Sequence, residues 1–368
     1  MSGDQRLHDR FVRLCEVASP TGSEREVADS VLAELRAHGI DVTEDGAAGP
    51  ARAGAGNLLA RVPGSADSWV AFSAHLDTVP HRGPVEVVLE DGVYRSRGET
   101  ILGADDKAAV AVLMELAARH AAMPGGPGVE LVLTVAEEEG LRGAKAFDLG
   151  SLRSPRAFVL DHASPIGDVI TAAPTHQRIS AAFEGAEAHA GIRPEDGHNA
   201  IAAAAAAVAA MELGRLDEET TANIGVIDGG TATNVVPGRC RIGGEARSID
   251  PARAAAVVGA MSDACAWAAT EHGCDLDVRI EEEFRGYRIP SSSGALELAE
   301  AGLRRAGVEP ERVATGGGSD ANALIAAGLD CVLLANGTAA NHTPQESVPA
   351  ANLDRMLSVC EAIVAEAG

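Results

Sequence analysis

Residues 105–140 read DDKAAVAVLMELAARHAAMPGGPGVELVLTVAEEEG. Val110, Leu113, Met114 and Ala117 recur at helical spacing, which predicts a helix from Asp105 to about His120 with those residues on one face. Residues 129–136 form an apolar run of strand length, which predicts a buried strand. Three acids, Glu137, Glu138 and Glu139, follow it directly. A helix feeding a buried strand is the unit from which mostly parallel sheets are built. In such sheets ligands bind beyond the carboxyl ends of the strands.

The same texture extends outward. The first 40 residues read as helical, with Ser23 and Glu26 forming a capping-box signature ahead of Val27, Val31, Leu32 and Leu35. Short strands are expected at 57–62, 69–74, 85–89 and 157–160. After residues 169–173 the pattern changes. Strands at 178–183, 222–227, 240–247 and 275–283 alternate with helices at 199–211 and from Asp250-Pro251 to about His272. That β-α-β-β-α-β order predicts a ferredoxin-like α+β domain. From Ser292 the helix–strand alternation resumes. The expected fold is therefore α/β with a mixed, mostly parallel sheet. Its domain spans 1–175 and 286–368, interrupted by an inserted domain at 176–285.

The chain has 368 residues, 54 acids, 30 bases and a net charge of -24. With 46% hydrophobic residues it can fill sizeable cores. No cluster of Lys and Arg offers itself to nucleic acid, and the acidity opposes an anionic membrane surface. The N-terminal stretch MSGDQRLHDR is charged and lacks the apolar core of a signal peptide. The alanine-rich run 201–211 is far shorter than the ~20 residues a membrane span needs. Six cysteines without a CxxC pair fit reduced thiols and a cytoplasmic protein.

Five short segments place His, Asp and Glu at strand ends. In SAHLDTVP, His75 and Asp77 point to the same side of an extended backbone. His75 can then bind a metal through one ring nitrogen while Asp77 accepts a hydrogen bond from the other. In LGADDKAAVA, Asp105 stands where a loop meets a helix, and reads equally as an N-cap. In TVAEEEG, adjacent acids on a strand-like backbone diverge, so one faces a metal and its neighbour a water. Asp161 in FVLDHA and His342 in ANHTPQE complete the set. Carboxylates packed ~4 Å apart repel by about 1–4 kcal/mol per pair. Two divalent ions sharing one carboxylate resolve that and create a water nucleophile.

The order of these segments resembles the co-catalytic zinc peptidases that include peptidase T, glutamate carboxypeptidase and the aminoacylases. The stretches LGADDKA, TVAEEEGLRGAKAFD and FVLD are similar to the peptidase T-like branch. The resemblance covers essentially the whole chain. It implies one zinc on His75, Asp105 and Asp161, and a second on Asp105, Glu138 and His342. It also implies Glu137 as general base and Asp77 as orienting carboxylate. The inserted domain is similar to the family's lid, which dimerises. There His189 in EGAEAHAG matches an oxyanion-stabilising histidine, supplied in several members by the partner subunit. TATNVVPG and GGEARSID imply Asn234 and Arg247 as substrate contacts, and GGGSDAN implies Gly318. The implied activity is hydrolysis of short peptides by a cytoplasmic homodimeric aminopeptidase. An N-acyl amino acid deacylase or carboxypeptidase on the same fold is the alternative. A non-catalytic binding relative is a remote one, since pure binding has no use for Glu137. Many relatives carry Gly at the position of Ala109 and an apolar residue at that of Glu139.

Overall fold

A computed structural model describes residues 3–368. The chain divides into two compact units, described separately. Unit 1 comprises the chain up to Thr171, Ile289–Ala314 and Ser319–Gly368; unit 2 comprises Ala172–Arg288 and Thr315–Gly318.

Unit 1 is built on a mixed sheet. Strands Gly128–Thr134, Trp69–His75, Arg156–Val159 and Asp330–Leu334 lie side by side in that order and all run parallel. Leu58–Val62 and Asp41–Glu44 extend one flank antiparallel, and the strand that begins at Asp168 extends the other. The four parallel strands are apolar because both faces are covered, and Gly128–Thr134 is buried throughout. Their carboxyl ends point the same way, so His75, Glu137, Asp161 and the loop to His342 leave the sheet along one edge.

Helix Ala104–Ala122 packs on the Trp69–His75 strand and against helices Gly3–Glu16 and Ala350–Glu366. Every residue from Ala104 to Ala118 is buried. The expectation of a single apolar face therefore fails here. With neighbours on several sides, small Ala residues fill the positions that solvent-facing residues would occupy. Two further expectations are corrected. Helix Arg25–Ala37 starts from Glu24 rather than from a Ser23–Glu26 box, and no side chain caps it. The Ser23 amide is spent on the Pro20 carbonyl, and the Glu24 carboxylate reaches out to the amides of Gly22 and Gly54. The strand expected at 85–89 forms as Val87–Glu90, in a small separate sheet with Val93–Ser96 and Ser347–Pro349.

Unit 2 is a five-stranded antiparallel sheet. Its order is Gly214–Asp217, Thr220–Gly229, Arg239–Ser248, Thr175–Glu184 and Asp275–Phe284. Helices Ala200–Ala210 and Pro251–Glu271 pack together on this sheet. The helix starts follow the sequence: Asn199 accepts from the Ala202 amide, and Asp250 from that of Ala252 ahead of Pro251. The β-α-β-β-α-β core is present, with Gly214–Asp217 added as an edge hairpin. Among the described residues no helix is long and apolar enough to cross a membrane.

Candidate metal centre

The carboxyl edge of the unit 1 sheet gathers seven predicted site residues. His75 ends its strand almost wholly buried. Its Nδ1 lies 3.0 Å from the backbone carbonyl of Asp77 and 3.5 Å from that residue's Oδ1. The backbone, more than the carboxylate, thus fixes the ring, a refinement of the expected His–Asp pair. The Asp77 carboxylate is instead spread over the glutamate turn. Oδ1 accepts from the Glu137 amide at 3.0 Å, and Oδ2 from the Glu138 amide at 3.3 Å and the Thr21 hydroxyl at 2.7 Å.

The other face of His75 meets acids. Nε2 lies 3.4 Å from Asp105 Oδ1 and 3.7 Å from Asp161 Oδ1. On the far side of Asp105, His342 Nε2 lies 3.1 Å from Oδ2 and 3.0 Å from Glu138 Oε1. The two oxygens of Asp105 therefore face different imidazoles. Candidate ligand atoms of His75, Asp105 and Glu138 fall within 4.8 Å of one another, as do those of His75, Glu137 and Asp161. The acids of TVAEEEG do not continue the strand as expected. Ala136 adopts φ +51°, so the chain turns out of the sheet before Glu137. Glu139 points away and pairs with Arg142.

The electrostatics of the bare cluster are unfavourable. Burial, then the charge of Asp161, pushes the Glu137 carboxyl well above its ordinary range. Burial lifts Asp161 to about 8, against the pull of His75. Burial, then Asp161, also raises Asp106 well above its usual value. Burial works to raise Asp105, but His342 and His75 hold it below the usual carboxylate range. Asp105 and Glu138 lift His342 to about 10. Burial works to lower His75, and Asp105, Asp161 and Asp77 raise it well above 6.5. Asp105 Oδ1 and Glu138 Oε1 are buried without a hydrogen-bonding partner. Converging imidazole nitrogens and unsatisfied carboxylate oxygens are the donor set of a divalent transition metal.

Three buried acids of this neighbourhood escaped the sequence reading. Asp106 accepts from the His75 amide and from Asn336 Nδ2. Asp320 bonds the Thr134 hydroxyl, and burial lifts it to about 6. It opens helix Asp320–Ala326, which Ser319 caps. Glu346 gathers three backbone amides of residues 102–105. The doublet DD carried a signal for Asp106; nothing local marked the other two.

The remaining predicted residues lie in unit 2. His189 is exposed on a two-residue ladder with Val235, and its Nδ1 accepts from the Gly191 amide at 3.2 Å. The exposed Asn234 adjoins it, its carbonyl accepting from the Ala190 amide. Elsewhere in the unit, Glu245 grips Arg247 through Nε and Nη2 at 3.0 and 3.1 Å, and Arg247 Nη1 donates to the Gly316 carbonyl. The room left by the absent side chain of Gly318 is taken by the Phe284 ring, 2.2 Å from where a Cβ would stand.

A mixed α/β sheet with this edge of His, Asp and Glu defines a metal-dependent hydrolase. The family profile matches residues 71–366, and the chain belongs to Peptidase family M20/M25/M40. The resemblance read from the five motifs is borne out. The Bacillus subtilis protein YqjE is 37% identical over the full length of both chains. The crystal structure of aminopeptidase PepT from Bacillus cereus superposes with a TM-score of 0.88 at 36% identity, covering 99% of this chain and 98% of that one. A tripeptidase from Staphylococcus aureus gives a TM-score of 0.92 at 34% identity, with the same coverage.

Proposed function

We propose that the chain is a di-zinc aminopeptidase acting on short peptides, tripeptides foremost. The observation that carries this is Asp105, whose two oxygens face His75 on one side and His342 on the other. One ion would be held by His75, Asp105 and Asp161, the other by Asp105, Glu138 and His342. When bound, the ions supply Lewis acidity that polarises the scissile carbonyl and acidifies a water. Glu137 Oε accepts the proton of the attacking water and returns it to the leaving amine nitrogen. Asp77 keeps that carboxylate in place through the Glu137 and Glu138 amides. In unit 2, His189 donates to the oxyanion. Asn234 and Arg247 take the polar end of the substrate, with Gly318 in the adjoining loop. Arg247 would meet a substrate carboxylate by exchanging the Glu245 carboxylate and Gly316 carbonyl that its guanidinium holds here.

The same reading has the chain working in the cytoplasm as a homodimer through its inserted domain, residues 176–285. The exposed apolar side chains of Val226, Ile227 and Trp267 on unit 2 support that pairing. One relative favours a second substrate class. A subunit of the Escherichia coli p-aminobenzoyl-glutamate hydrolase is 32% identical, although the match spans only 54% of this chain and 48% of that one. A panel run on one metal-analysed sample separates the two. Free tripeptides, their N-acetylated forms and N-acetyl amino acids are compared. Cleavage of free tripeptides over blocked ones is expected. Hydrolysis confined to blocked substrates rejects the aminopeptidase in favour of a deacylase.

A further inference from the structure

One buried carboxylate beside the centre has no part in that mechanism. Glu346 is 1% exposed, and among the described residues no Arg or Lys pairs with it. Its Oε2 accepts from the amides of Leu102 and Gly103, each at 2.8 Å, and its Oε1 from the amide of Asp105 at 2.9 Å. These donors stand at the entry to helix Ala104–Ala122, where N–H groups lack intrahelical partners and no local side chain serves as a cap. The cap comes instead from a residue more than 240 positions later in the chain.

That residue stands four positions after His342. The intervening turn is closed on itself. Thr343 Oγ1 donates to the Ala340 carbonyl at 2.7 Å, and the Glu346 amide donates to the Thr343 carbonyl at 3.1 Å. Glu346 therefore fastens the turn that carries His342 to the loop that carries Asp105. Those side chains meet over 3.1 Å between Nε2 and Oδ2. We propose that Glu346 is a positioning residue of the metal centre, which fixes Asp105 relative to His342 and so sets the affinity of the ion that those two share. This rests on the di-metal reading above. The other proposed ion, on His75 and Asp161, shares only Asp105 with the clamp and depends on it less.

The atoms decide what a substitution does. In Glu346→Gln, an amide oxygen that keeps the Leu102 and Gly103 amides leaves an NH2 group facing the Asp105 N–H. The clamp then fails at the ligand itself. In Glu346→Asp the carboxylate is kept but the arm is one methylene too short to reach both ends. Zinc binding to the metal-stripped full chain is measured by competition with a chromophoric chelator. Glu138→Ala serves as reference for the loss of one ion. Glu346→Gln is expected to weaken one of two binding steps by ~10–100-fold. That step is the one absent in Glu138→Ala, and circular dichroism stays native. Two steps at wild-type affinity in Glu346→Gln overturn the proposal. So does an equal weakening of both steps in both Glu346 variants, which makes Glu346 a folding residue only. If the wild-type chain binds fewer than two ions, or Glu138→Ala keeps both steps, the di-metal reading itself fails and the clamp with it.

Discussion

Replacing Glu137 with Gln separates two roles that the structure gives this side chain. It keeps the shape and removes both the proton acceptor and a buried charge. Glu137 and Asp161 present oxygens within 4.8 Å of each other. At that separation two carboxylates repel by about 3.5 kcal/mol at an effective dielectric of ~20. A divalent cation held by the neighbouring ligands would act with the opposite sign and favour the ionised form of Glu137 that a base needs. Loss of that base costs about 10²–10⁴ in rate, roughly 3–5 kcal/mol of barrier. The metal-free fold meanwhile gains stability at alkaline pH, because one repelling charge is gone. The assay is kcat on a tripeptide at matched metal content, together with thermal unfolding in chelator. The expected variant keeps both metals, loses turnover and melts higher than wild type when stripped. Turnover within ~5-fold of wild type at full metal content refutes the role of Glu137 as base.

Two other outcomes follow from the same geometry. Burial raises Asp161 to about 8 and Asp320 to about 6, above an unfolded value of ~4. The native state then binds more protons than the unfolded one. Their contribution is complete below pH ~4 and is lost as pH rises through those values. Calorimetry of chelated protein is expected to show stability falling between pH ~4 and ~8, and metal-loaded protein to lack that fall; a rising chelated profile contradicts it. Gly143→Ala places a Cβ 2.1 Å from the Val135 carbonyl and 2.6 Å from Asn57 Oδ1, behind the turn that carries Glu137 and Glu138. Overpacking of that kind costs about 1–3 kcal/mol. A wild-type denaturation midpoint and wild-type kcat would show that the turn is not pinned there.

What the sequence made legible follows from where information is local. Runs of period two or buried apolar runs marked the sheet of unit 1, because each strand states its own burial. The helix at 105–120 was found, but its one-faced reading failed, since burial on all sides depends on helices far away in sequence. Ser23 and Glu26 matched a capping box, yet the Ser23 amide goes to the Pro20 carbonyl and the helix starts from Glu24, whose carboxylate takes the amides of Gly22 and Gly54 instead of capping. His75, Asp105, Asp161 and His342 drew notice because each stands at a strand end or a loop, whereas the choice of Glu137 and Glu138 from the triplet came from the family resemblance; the structure brings these side chains together. Glu346 and Asp320 were missed because their partners, the amides of 102–105 and the Thr134 hydroxyl, are distant and leave no local pattern.

The buried acids can be sorted by how their charge is met, and that sorting separates structure from chemistry. Glu115 is wholly buried, yet against the cost of burial Arg6, Arg10 and Arg119 hold its pKa down to about 2. Glu130 pairs with Arg61 and takes the amides of Arg153 and Ser154. Glu346 and Asp77 disperse their charge over backbone amides. Asp105, Glu137, Glu138 and Asp161 have none of these remedies. Among the described residues no Arg or Lys pairs with any of them. His75 and His342 cannot supply the missing charge while acting as ligands, because a ligating imidazole is neutral. Desolvated carboxylates without a counter-charge are unstable neighbours at neutral pH. Four such charges call for +4, which is what two divalent ions bring. The acids assigned to metal and base are thus among those that the fold leaves unanswered; Asp106 and Asp320, buried beside them with raised pKa values, are not ligands in that assignment, and burial favours their neutral form.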